Sequence, residues 1–136
     1  MSYTRIIPVE FNHCDPAGRV FYPRYFEMIN SVVENFFADV VGRSFAAMHQ
    51  GQRNGVPTVD IQAAFPKATR LGDRLTWDIR VEKLGGASLE LAHRATCGGE
   101  LRVTARQVVV WIADDRAAPW PEDMRAALAA YQEHQG

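Results

Sequence analysis

The 136 residues suit one domain, residues 1–136, and a hydrophobic share of 47% is enough for a real core at this length. With 15 basic against 16 acidic side chains and no basic tract, the composition argues against an electrostatic nucleic-acid binder. The longest apolar runs are far too short to span a bilayer, so no membrane association is expected. The opening MSYTRIIPVEF lacks the charged-then-apolar layout of a signal peptide. Cys14 and Cys97, isolated and without metal-ligand spacing, fit a reduced, cytoplasmic protein.

In chain order, residues 3–11 alternate as a strand, with Tyr3, Arg5, Ile7, Val9 and Phe11 on one face. Pro8 has no N–H, which places this strand at an edge or gives it a bulge. Residues 12–19 read as a loop because Asn, Asp-Pro and Gly cluster there. From Pro23 to Val41 two apolar stripes follow the spacing of three and four: Tyr25, Ile29, Val32, Phe36 and Phe26, Val33, Phe37, Val40. Pro23 suits a first turn and Gly42 a stop. A helix this broadly apolar needs burial on most sides, more than one small sheet provides, so the protein is expected to be at least a dimer. Residues 44–50 make a short second helix capped by Ser44. Strand patterns follow at 56–66, 74–83, 87–97 and 101–113, with Gly85-Gly86 and Gly98-Gly99 as tight-turn signals, so neighbours should pair antiparallel. Pro121 to His134 reads as a terminal amphipathic helix. The order predicts an α+β fold, a curved antiparallel sheet around one long central helix.

There is no nucleophile elbow and no Gly-rich phosphate loop. His13, His49, His93 and His134 have no companions at metal-binding spacing, so no metal is expected. Cys14 reads as a small buried residue beside a turn, with no identifiable base. Asp15 has a different context. In Asp-Pro-Ala-Gly, Pro16 fixes φ, Gly18 permits positive φ, and a helix with unpaired N–H groups starts a few residues later. A carboxylate and N–H donors within one short loop suit acyl transfer. The same aspartate could simply cap its own turn. Asn30, on the stripe of Phe26, Val33 and Phe37, is an amide among apolar residues, and burial there would demand a partner.

Phe11, Cys14-Asp15-Pro16-Ala17-Gly18, Val20, Tyr22-Pro23 and Tyr25 form F-x-x-C-D-P-A-G-x-V-x-Y-P-x-Y. This resembles the signature of the 4-hydroxybenzoyl-CoA thioesterase family of hotdog-fold proteins. Gly55, Pro57, Val59, Phe65, Gly72-Asp73 and Leu75 extend the resemblance over most of the chain. It implies an acyl-CoA thioesterase that splits a coenzyme A thioester with water. Asp15 would be nucleophile or general base, and the Tyr22 backbone N–H would polarise the carbonyl. It implies no cofactor, coenzyme A being part of the substrate. Edge-to-edge dimers with sites at the interface, commonly paired into tetramers, are implied too. Where many relatives carry a second aspartate, this chain has His13, which could tune the reaction or be a surface loop residue. The position of Asn30 matches an aspartate that meets a ring hydroxyl across the interface, which implies aromatic, hydroxybenzoyl-like acyl groups. Val20 and Phe26 would contact substrate. The stretch Lys83-Leu84-Gly85-Gly86-Ala87-Ser88 holds one cation where relatives can carry a phosphate-binding cluster, which leaves Arg70, Arg74 and Lys67 as substitutes. Two other readings stay open: a hotdog hydratase or dehydratase, which adds a catalytic histidine, and a hotdog that binds an acyl ligand without turnover.

Overall fold

A computed structural model describes residues 2–51 and 53–136. The strands are β1 (Tyr3–Pro8), β2 (Thr58–Ala64), β3 (Arg74–Leu84), β4 (Ser88–Cys97) and β5 (Glu100–Val110). They form one antiparallel sheet in the order β1-β3-β4-β5-β2. The two glycine pairs do join paired neighbours, β3 to β4 and β4 to β5. At Gly98-Gly99 both φ values are positive, 57° and 80°, a region that favours glycine. One correction concerns β2, which follows the helices in the chain but pairs with β5 at the far edge instead of with β3. Pro8 does lie on an edge strand, because β1 pairs only with β3.

Alternation sorts the sheet into two faces. Leu75, Trp77, Ile79 and Val81, then Leu89, Leu91 and Ala95, then Val103, Ala105 and Val109 are buried and belong to one hydrophobic cluster. Helix α1 (Tyr22–Phe36) adds Tyr25, Met28, Ile29, Val32, Val33 and Phe36 to that cluster. The expected single helix to Val41 is instead two segments, since Phe37–Val41 winds as a π-helix and stops at Gly42 with φ 88°. Helix α2 (Phe45–Met48) is capped as anticipated: the Ser44 hydroxyl accepts from Ala47 N–H at 3.1 Å.

The apolar run at 101–113 is not one strand. It breaks after Val110, and β6 (Ile112–Ala113) turns back on β7 (Arg116–Ala117) through Asp114 and Asp115, both at positive φ. Aspartate tolerates that region, so an Asp-Asp pair does the work of the more familiar Asn-Gly. Residues 9–11 also leave β1. Phe11 opens a 3-10 turn to His13 and is 80% exposed, not on the buried face. Helix α3 (Glu122–His134) packs Met124 and Leu128 into the core. Beyond its end, the Gln135 amide accepts from Val81 N–H at 2.8 Å and donates to Val81 C=O at 2.9 Å, continuing the β3 edge where β1 has stopped.

Candidate active site

Residues 13–22 form a miniature hairpin feeding α1. Phe21 N–H donates to His13 C=O at 2.9 Å, Cys14 bridges Val20, and Asp15 N–H donates to Arg19 C=O at 2.8 Å. The turn closes through Gly18 N–H on Asp15 C=O at 3.0 Å, with Gly18 at φ 75°. An added Cβ at Gly18 would meet nothing, so the backbone angle, and not space, demands glycine there. The Asp15 carboxylate is half-buried. Its Oδ1 accepts from Ala17 N–H at 2.9 Å and Arg19 N–H at 3.2 Å. Asp15 therefore does cap its own turn, but with one oxygen. Oδ2 makes no hydrogen bond among the described residues.

The helix start is equally selective. Tyr22 is the first helical residue, Pro23 has no N–H, and Arg24 N–H already donates to Phe21 C=O at 2.8 Å. No side chain caps this end. Of the first three helical positions, only Tyr22 has a backbone N–H with no partner among the described residues, and helix geometry aims it outward. The Tyr22 ring is 62% exposed and, among the described residues, has no polar partner and an edge contact with Phe21.

A second layer holds the hairpin. Val20 N–H donates to Thr69 C=O at 2.9 Å and Leu71 N–H to Gly18 C=O at 3.0 Å, with Arg19 bridging Arg70. The 68–73 segment is fixed in turn by Arg102, whose Nη1 reaches Ala68 C=O at 3.1 Å and Asp73 Oδ2 at 2.8 Å. The Arg70 N–H also donates to that oxygen at 3.0 Å. The Arg70 N–H first, and Arg102 second, hold the Asp73 carboxyl below its ordinary value. Arg102 escaped the sequence reading because nothing local marks an arginine on a strand as the support of a loop some thirty residues earlier.

The other anticipated residues fall in different places. His13 is half-buried, and its Nδ1 accepts from Glu10 N–H at 2.9 Å, which fastens the 3-10 turn. Val20 packs against the core; Phe26 stands at its rim, edge-on to Phe65. The Arg70 side chain is exposed beside Arg19, Arg74 opens β3 opposite Pro8, and Lys67 is exposed. Asn30 is exposed and has no hydrogen-bond partner among the described residues, because the cover over its stripe begins only at Val33. It lines a separate cavity of about 300 Å³ with Phe45, His49, Val56, Thr58 and Ile112. Asp15 and Tyr22 do not line that cavity.

Missed altogether was a polar chain in the core. Trp77 Nε1–H donates to His93 Nδ1 at 3.0 Å, His93 Nε2 meets Gln107 Oε1 at 2.8 Å, and Gln107 Nε2 donates to Thr58 Oγ1 at 2.9 Å. Burial depresses the His93 pKa to about 4, partly offset by Gln107. Its signal was available, since alternation puts His93 and Gln107 on the inward faces of β4 and β5.

Residues 9–128 match the thioesterase-like superfamily. The chain is 27% identical over 110 residues to a 4-hydroxybenzoyl-CoA thioesterase from Pseudomonas sp. (strain CBS-3), covering 72% of each. Among solved structures it resembles a Staphylococcus aureus protein in complex with CoA, with a TM-score of 0.93 at 19% identity, covering 100% of this chain and 87% of that one. It also resembles a 1,4-dihydroxy-2-naphthoyl-CoA thioesterase from Synechocystis, with a TM-score of 0.85 at 19% identity over 95% and 96% of the two chains. Among the described residues no helix is long and apolar enough to cross a membrane.

Proposed function

Since the chain belongs to the thioesterase-like superfamily, we propose that it hydrolyses acyl-CoA thioesters to a free acid and CoA. The observation that carries this reading is the hairpin. One carboxylate oxygen of Asp15 is locked in the turn, the other is free, and the same short loop leads to the unpaired Tyr22 N–H. The carboxylate attacks the thioester carbonyl or deprotonates water, and the N–H receives the negative charge that develops on oxygen. Neither route needs a cofactor. His13 adjusts the charge around Asp15 from two residues away. Val20 and Phe26 border the acyl group. Arg19 and Arg70, like charges on paired positions, repel one another unless an anion sits between them, which suits a phosphate of CoA. Arg74 and Lys67 are further candidates for the CoA phosphates.

The acyl group reaches a pocket that one chain does not complete. Phe21, Tyr22 and Phe26 are exposed at the start of α1, and β2 presents an open edge with Val59 60% exposed. Pairing two chains edge to edge along β2 covers that edge and brings the Asn30 cavity of one subunit to the hairpin of the other. Two such dimers then form a tetramer, in a cytoplasmic protein. Light scattering that returned a mass near 15.2 kDa at micromolar concentration would remove the shared site. Asn30 reads a ring hydroxyl, so aromatic, hydroxybenzoyl-like acyl groups are preferred.

A thiol-release assay over short, branched, long-chain and aromatic acyl-CoA thioesters, with an enoyl-CoA included, tests the reaction class. Release of CoA from none of them, or hydration of the enoyl-CoA instead, overturns the proposal. Run on Asn30→Ala, the same panel should show the hydroxybenzoyl-over-benzoyl preference lost by about 1 kcal/mol in transition-state binding.

A further inference from the structure

His93 and Gln107 interrupt the apolar inner face of the sheet at 3% and 4% exposure. Buried polar groups persist when every one of them is paired, and here the pairing has a direction. An indole N–H can only donate, so His93 Nδ1, at 3.0 Å from Trp77 Nε1, must be the acceptor nitrogen. Burial keeps the imidazole neutral, with its pKa near 4, and its one proton is then on Nε2. The group facing that proton at 2.8 Å must be the Gln107 carbonyl oxygen. The Gln107 amide nitrogen therefore points the other way and donates to Thr58 Oγ1 at 2.9 Å. Thr58 cannot return its own proton to a donor, and no acceptor among the described residues takes it. Thr58 is exposed at the first position of β2 and lines the 300 Å³ cavity beside Asn30. The core chain that starts at Trp77 thus fills one lone pair of the Thr58 oxygen and leaves its O–H proton to the cavity.

We propose that Thr58 is a specificity-determining residue whose hydroxyl, together with the Asn30 amide, binds an oxygen acceptor on the far end of the acyl group. The proposal rests on the acyl-CoA reading above and deepens it. Phe45, Val56 and Ile112 make much of the remaining wall apolar, with His49 as its one other polar side chain, so the two polar groups on Asn30 and Thr58 discriminate. An acyl group bearing a hydroxyl or ether oxygen satisfies Thr58, whereas a plain hydrocarbon strips water from it and returns nothing.

The test uses binding, so that it does not depend on turnover. Phenacyl-CoA, in which a methylene ketone replaces the thioester, is compared by titration calorimetry with its 2-, 3- and 4-hydroxy and methoxy forms. The proteins are the full chain, Thr58→Val and Thr58→Ser. At least one hydroxylated ring should bind about tenfold tighter than phenacyl-CoA to the full chain and to Thr58→Ser, and its methoxy form, an acceptor only, should keep the preference. In Thr58→Val the preference should fall to within about twofold. Valine is β-branched and the site is an exposed strand residue, so the variant should fold. The full chain alone is decisive in any case, because binding with no preference for an oxygenated ring overturns the role of Thr58. A preference unchanged in Thr58→Val, or lost equally in Thr58→Ser, overturns it too. Failure of every analogue to bind, phenacyl-CoA included, overturns the acyl-CoA reading and this proposal with it.

Discussion

Asp15 and Thr58 are both polar side chains oriented by hydrogen bonds, and they are oriented from opposite distances. Asp15 is held by N–H groups two and four residues along its own loop. Thr58 is held by Gln107, 49 positions away, which is itself set by His93 and Trp77 on two other strands. A locally held group keeps its geometry as long as the turn survives. A group held through the core keeps it only while the whole sheet is in register. The first arrangement is a matter of sequence chemistry, and the second is a property of the fold.

The largest effect should come from breaking the local side. Asparagine at position 15 still offers Oδ1 to Ala17 and Arg19, so Asp15→Asn should melt within about 1 kcal/mol of wild type. It loses the charged second oxygen, and turnover should fall by about 10²–10⁴. Circular dichroism and steady-state rates on the best thioester decide it, and a near wild-type rate would sink the mechanism.

This contrast also explains what was legible. The turn, the helix start and the Ser44 cap could be read from neighbouring residues, because proline, glycine and serine act within a few positions. The partner of β2 could not, because strand order depends on contacts that no local pattern encodes. Asn30 was placed on the right stripe of the helix, but periodicity does not say where along that stripe the cover begins. The Asp114-Asp115 turn was hidden because no glycine marks it, and the apolar run around it reads as one strand.

The core side should break with pH. His93 is neutral when folded and has its pKa lowered from 6.5 to about 4 by burial. The unfolded chain binds the proton first, so the stability contributed is fully present above about pH 6.5 and is lost as pH falls toward 4. That gap corresponds to roughly 3 kcal/mol. Urea unfolding at pH 7, 5.5 and 4.5 should show the loss in wild type. In His93→Gln, which does not titrate, the difference from wild type should narrow as pH falls. A constant difference across that range would mean that His93 takes up its proton as readily in the folded core as in the unfolded chain, so that burial and the bond from Trp77 do not hold it neutral.

The smallest effect tests whether the hairpin is as local as it looks. Its outer arm, Gly18 to Val20, lies against Thr69 to Leu71, and that segment is fastened by Arg102 through Ala68 C=O and Asp73. Arg102 is 13% exposed at the side chain, so its contacts with Asp73 and Glu100 are only partly screened. Arg102→Met removes three hydrogen bonds and leaves Asp73 facing less positive charge, for about 2 kcal/mol of stability. Asp73 should nevertheless stay below its ordinary value, because the Arg70 N–H is the larger cause and survives the change. The acid-side stability from Asp73, present above its unfolded pKa and lost as pH falls through the folded one, should therefore shrink without vanishing. If the 68–73 segment truly positions Asp15, kcat should also fall, by about tenfold, because small displacements of a reacting group are costly. Arg102→Lys should recover charge but not the fork, and so only part of the rate. Lost stability with an unchanged kcat would mean that the hairpin holds Asp15 unaided, and the contrast between the two sites would then be complete.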